Sequence, residues 1–181
     1  MENEIRQQYG ALRLGSPAGT AITVLHIGEE ESAVATGVGA EPDALIVLAI
    51  GSRRTAADFF RHTPPTPAEL ETAIMVVEDE VTRARSMAAG NTTLLTTDAA
   101  LRELAQIAGV TEESGLILSV DAVERMFDLL AALSLGRPAS SAGIPADPAF
   151  AATLLILREF MHHLQFEVIN IRAGAARLLQ P

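Results

Sequence analysis

The chain of 181 residues has no cysteine and no tryptophan, and tyrosine occurs once. Without a thiol there is no disulfide, no cysteine-ligated iron–sulfur cluster and no cysteine nucleophile. So few aromatic rings leave little from which to build a base-stacking platform. Cations are also scarce: 13 Lys+Arg against 23 Asp+Glu give a formal net charge of −10. That balance argues against nucleic acid or an anionic membrane as a partner, since both need a basic surface. No apolar run approaches the roughly 20 residues of a membrane-spanning helix. The richest, Ala149 to Leu157, stops at Arg158-Glu159. The first residues, Met1-Glu2-Asn3-Glu4, are polar and acidic, unlike a secretory signal. A cytoplasmic location is expected.

What is present is a core. Hydrophobic residues make up 49% of the chain and the mean hydropathy is positive at +0.27, which predicts a compact fold. The length suits a single domain over 1–181, with 1–20 as a leading helix and linker. Ile5, Tyr9 and Leu12 have helical spacing over 3–14, and Gly15-Ser16-Pro17 stops that helix. Strand-like segments follow at 21–27, 32–39 and 44–50. The last, Ala44 to Ile50, is apolar without a break, which predicts a strand covered on both faces. A short helix at 53–61 precedes Thr63-Pro64-Pro65-Thr66-Pro67. There Thr66, Pro67 and Glu69 form a capping-box signature for a helix over 67–88, ended by Gly90-Asn91.

Further on, Thr92 to Thr97 reads as a strand, and Asp98 as the cap of a helix to Ala108. Residues 109–115 read as a loop, and Ser119 starts a helix that buries Val123, Met126, Phe127, Leu130 and Leu133. Residues 135–148 are irregular. A helix over 148–164, a strand over 167–171 and a terminal helical turn from 173 complete the chain. Three meandering strands followed by alternating helices and strands predict an α/β fold, a mixed sheet covered by helices.

The most telling segment is Gly28-Glu29-Glu30-Glu31-Ser32, the turn between the first two strands. A glycine-rich turn there could offer backbone N–H groups to a phosphate. Three carboxylates in the same turn would repel one.

In order along the chain, several stretches resemble the second domain of the Ppx/GppA family of exopolyphosphatases and guanosine pentaphosphate phosphatases. They are Glu2 to Ala11; Val24 to Ser32; Val47-Leu48-Ala49-Ile50-Gly51-Ser52-Arg53-Arg54; Pro64 to Leu70; Leu118 to Ser134; and Ile144 to Leu157. The resemblance implies an RNase-H-like, actin-like ATPase fold, standing without the family's first domain, which carries the other phosphate loop and the catalytic carboxylate. It also locates remnants of the phosphate loops at Gly28, Glu29, Glu30, Glu31, Ser32, Gly51, Arg53, Thr96, Thr97 and Asp98. The departures matter as much. His26 stands where the family has an aspartate, and Glu29 and Glu30 stand where it has glycines. The second loop reads Thr96-Thr97-Asp98-Ala99-Ala100 in place of a glycine- and threonine-rich one. The arginine that the family has near the start of the 148–164 helix is absent, the positions reading Ala146-Asp147-Pro148, and Asn170-Ile171-Arg172-Ala173-Gly174 blurs the family's closing pattern.

Local readings are mostly structural. Consecutive Glu29, Glu30 and Glu31 point different ways and make a solvated turn more readily than a metal site. His26 could act as a base with Glu29 or Glu31, but a hydrogen-bonded, partly buried histidine is the simpler reading. His162 and His163 lie about 100° apart on a helix and cannot share an ion as an i, i+4 pair would. Arg53 and Arg54 could clamp an anion, or sit on the surface beside Asp58. Phe59, Phe60, Met126, Phe127, Phe160 and Met161 read as core or as a partner-facing groove, and Glu78-Asp79-Glu80 as an exposed helix face. Three functions follow. One is a non-catalytic binding or assembly module without a cofactor, paired with a second copy or a protein partner. Another is a magnesium-dependent phosphatase acting on polyphosphate or pppGpp with a separate first domain. The last is a sensor of a small molecule or cation.

Overall fold

In α1 (Glu2–Leu14) the buried side chains Ile5, Tyr9 and Leu12 recur at i, i+4 and i+7 and form one apolar stripe. The Tyr9 hydroxyl donates to the Gly39 carbonyl at 3.1 Å, pinning the helix to the strands beneath it. Those strands are β1 (Ile22–Ile27), β2 (Ser32–Gly37) and β3 (Ala44–Leu48). They form the expected antiparallel meander, with Ile27 opposite Ser32 and Ser32 opposite Leu48. The computed structural model describes residues 1–88, 91–111, 116–138 and 143–173.

α2 (Ser52–Phe59) and α3 (Pro67–Thr82) follow the meander. The α3 capping box is formed as its sequence predicts: Glu69 N–H donates to Thr66 Oγ1, and Thr66 N–H to Glu69 Oε2. Then come β4 (Thr93–Thr96), α4 (Ala99–Ile107), β5 (Ile117–Ser119), α5 (Val120–Ser134), α6 (Pro148–His163) and β6 (Val168–Ile171). The six strands form one mixed sheet in the order β3-β2-β1-β4-β6-β5. Pairs β1/β4 and β4/β6 are parallel, and the others are antiparallel.

Helices cover the two faces unequally. α1 packs against Ile22, Val24, Ala33, Ala35 and Leu95 on one face. The opposite face carries the larger core, where Leu25, Ile27, Val34, Leu48, Leu94, Leu118, Ile169 and Ile171 meet the other helices. α6 lies at the centre of that layer. Every residue from Ala151 to Leu157 is buried, so its apolar run reflects a helix enclosed on all sides.

Several elements differ from expectation. β3 is an edge strand, and Ala44 to Val47 are only partly buried; its apolar run does not mark two covered faces. α3 stops at Thr82 and continues as tight turns, with Ala84 N–H on Val81 O and Arg85 N–H on Thr82 O. Ala84 and Ala88 are still buried. The expected stop at Gly90, the end of the 109–115 loop, part of 135–148 and the turn beyond 173 lie wholly or partly outside the described residues. Ile117 and Leu118, assigned to no element by sequence, join Ser119, read as a helix start, in the short strand β5 antiparallel to β6. Ser119 also caps α5, accepting from Ala122 N–H at 3.2 Å. Glu80 is not simply exposed: its carboxylate takes the Ala49 amide at 2.9 Å and Arg83 at 2.6 Å.

Candidate functional site

In open α/β sheets ligands gather outside the carboxyl ends of parallel strands, near the point where strand order reverses. In this chain that point lies at the ends of β1 and β4. All ten residues singled out as loop remnants lie at or beside it.

The β1–β2 turn is anchored, not open. Gly28 N–H donates to Glu31 O at 3.0 Å. The first turn of a helix carries N–H groups with no partner inside the helix and a partial positive charge, the usual basis of a phosphate site. In α2 those groups are engaged. Ser52 N–H donates to Gly28 O at 2.9 Å, and Arg53 and Arg54 N–H donate to Glu29 O at 2.9 and 3.0 Å. The carbonyls of the turn therefore occupy the position an anion would take.

Gly51 permits this approach. A Cβ there would lie 2.5 Å from Glu29 O and 2.5 Å from the Glu30 carbonyl carbon, closer than any side chain tolerates without movement of the turn. Gly28 is similarly confined, 2.7 Å from Glu31 O by the same measure. Outside, Arg53 Nη2 meets Glu30 Oε1 at 2.7 Å and Nε meets Glu29 Oε2 at 3.4 Å. Arg54 pairs with Asp58 at 3.8 Å. Ser32 is buried, and its hydroxyl donates to Ile50 O at 2.8 Å. It serves the sheet.

The second remnant is joined to the first through Asp98. Asp98 stands at the N-cap of α4, but its carboxylate makes no cap hydrogen bond. It accepts the Ile27 amide on Oδ2 at 2.7 Å and lies 2.6 Å from His26 Nδ1 through Oδ1. Thr96 is buried, its hydroxyl accepting the Asp98 amide at 3.1 Å and its carbonyl the Arg172 amide at 2.8 Å. Thr97 is half-buried between them.

His26 is partly buried and hydrogen-bonded, but its partners are neither Glu29 nor Glu31. Besides Asp98, its Nε2 faces Glu4 Oε1 on α1 at 3.4 Å. Burial, the largest influence on its pKa, acts to lower it. The Asp98 hydrogen bond and charge, with Glu4, outweigh burial and leave the imidazole above the ordinary histidine value. Sequence reasoning missed this pair because its members lie 72 positions apart.

Beside this point the N-termini of α2, α4 and α6 border a cavity of about 340 Å³, lined among others by Ser52, Glu103, Asp147, Phe150 and Thr153. Asp147 caps α6 by accepting the Phe150 amide at 2.8 Å. Among the described residues no three His, Asp or Glu side chains are placed to hold one metal ion.

These features define a mixed α/β domain, and its fold is similar to that of solved Ppx/GppA-type structures. The Aquifex aeolicus Ppx/GppA enzyme superposes with a TM-score of 0.77 at 18% identity, over 96% of this chain and 60% of that one. An exopolyphosphatase from Cytophaga hutchinsonii gives 0.67 at 14% identity, over 92% of this chain and 57% of that one. An exopolyphosphatase-like protein gives 0.67 at 13%, over 84% and 55%. The chain thus spans at most 60% of the length of these structures. No family model matches it, and no curated protein matches it by sequence. Among the described residues no helix is long and apolar enough to cross a membrane.

Proposed function

We propose that this chain is a non-catalytic binding or assembly module, built on a Ppx/GppA second-domain fold whose phosphate-facing turn has closed on itself. The observation that carries this reading is the engagement of all three leading α2 amides by the Gly28 and Glu29 carbonyls. An anion seeking that helix terminus meets carbonyl oxygens inside and the Glu29 and Glu30 carboxylates outside. Phosphate release from polyphosphate, pppGpp or ATP, measured with magnesium on the purified chain, tests it. No turnover above the protein-free rate is expected, and sustained release would refute it.

The assembly role draws on unequal coverage of the sheet. α1 shields β1 to β3, while Ile117 on β5 and Val168 on β6 share its face and are 47% and 40% exposed. A second copy or a protein partner over that face would remove apolar surface from water. Light scattering across concentration tests self-association, which Ile117→Lys should weaken.

One observation favours a sensor of small cations. The cavity beside Ser52 has the acidic residues Glu103 and Asp147 and the aromatic Phe150 in its lining, and none of the described residues that line it is cationic. Thermal-shift measurements with polyamines test that reading.

A further inference from the structure

We propose that His26 is a proton-operated latch: as an imidazolium it bridges the Asp98 carboxylate at the start of α4 and the Glu4 carboxylate on α1, fastening the first turn of α1 to the end of β1.

Three elements meet at this one ring. Nδ1 lies 2.6 Å from Asp98 Oδ1, and Nε2 lies 3.4 Å from Glu4 Oε1. Neutral imidazole has a single N–H and can donate to only one of them. The imidazolium donates to both. The side chain of His26 is 14% exposed and that of Asp98 6%, so water substitutes poorly for a lost partner. The charged groups acting on His26 are Asp98 from the β4–α4 junction, Glu4 from α1, and the Met1 amino group, which opposes protonation. β2 places uncharged Ala33 opposite it.

The direction of the effect follows from linkage. A histidine whose pKa is raised by folding adds stability below its unfolded value of 6.5 and loses that contribution as pH rises through the folded value. Above that value Nε2 becomes an acceptor facing a carboxylate, and the first turn of α1 loosens. Ile5 N–H, which closes this turn on Met1 O at 3.0 Å, reports it directly. The latch does not depend on whether the chain is catalytic.

NMR titration of the histidine rings, with amide exchange of α1 corrected for intrinsic pH dependence, tests the latch. The His26 midpoint should lie above the ordinary value and fall in Glu4→Gln, a change at a side chain that is 54% exposed. Protection of α1 amides should drop several-fold as pH rises through that midpoint, and should be flat in His26→Gln. If His26→Gln does not fold, the wild-type titration and Glu4→Gln decide. A midpoint at or below the ordinary value, a Glu4→Gln midpoint equal to wild type, or protection unchanged across the midpoint overturns the latch.

Discussion

Arg53 is joined to Glu29 twice: its amide donates to the Glu29 carbonyl at 2.9 Å, and its guanidinium reaches the Glu29 carboxylate at 3.4 Å. The two links differ greatly in weight. The guanidinium link joins exposed groups, 66% and 74% accessible, and such pairs contribute about 0–1 kcal/mol. The amide link is part of the three-bond seam that closes the turn over α2.

Substitutions should separate these links. Gly51→Ala places a Cβ against the Glu29 and Glu30 backbone, and forcing the turn aside should cost about 1–3 kcal/mol in urea unfolding. Arg53→Ala should change stability by no more than about 1 kcal/mol, with the difference shrinking in high salt. Equal costs would mean that the ion pairs hold the turn.

Glu69 should govern the acid limb of stability. Its carboxylate takes the Thr66 amide at 2.7 Å, faces His62 Nδ1 at 2.9 Å and takes the Arg61 amide at 2.9 Å. These donors, Thr66 foremost, lower its pKa from 4.5 to about 2. A depressed carboxylate stabilises above its unfolded pKa, and that contribution is lost as pH falls through 4.5 towards 2. Thermal melts of Glu69→Gln and wild type should therefore differ at neutral pH and converge near pH 2. Thr66→Ala, which removes the other half of the box, should cost about 1 kcal/mol at neutral pH.

Arg158 shields a buried charge. Glu159 is 3% exposed, and Arg158 Nη1 meets it at 2.6 Å while His163 Nε2 lies 3.1 Å away. Arg158 also reaches Glu124 at 2.9 Å and stacks over Phe127 at 4.5 Å. Arg158→Met should destabilise by about 2–4 kcal/mol, towards the lower end because the guanidinium is partly exposed. Adding Glu159→Gln should recover part of the loss, as a double-mutant cycle would show.

Much of the fold was legible because local chemistry agreed with it. The α3 capping box, the Ser119 cap and the β1–β3 meander are all written in contiguous residues. Strand β5 was not legible: three residues carry no period, and pairing with β6 makes it a strand. The apolar run of β3 misled, since hydrophobicity does not reveal that a strand lies at an edge. Of the site, the acidic turn stood out at once. Its contact with α2 did not, because Gly51 and Glu29 each read as part of a loop remnant and nothing in their spacing shows that one backbone packs against the other. The His26–Asp98 pair needed the parallel β1/β4 adjacency, which joins segments distant in sequence.

The closed turn is tested most directly by calorimetric titration of the chain with inorganic tripolyphosphate and magnesium, beside Gly51→Ala as a variant with the seam disturbed. The account predicts no saturable heat for the wild-type chain. Saturable binding in wild type, abolished by Gly51→Ala, would contradict it, because it would place an anion on amides that the chain's own carbonyls occupy.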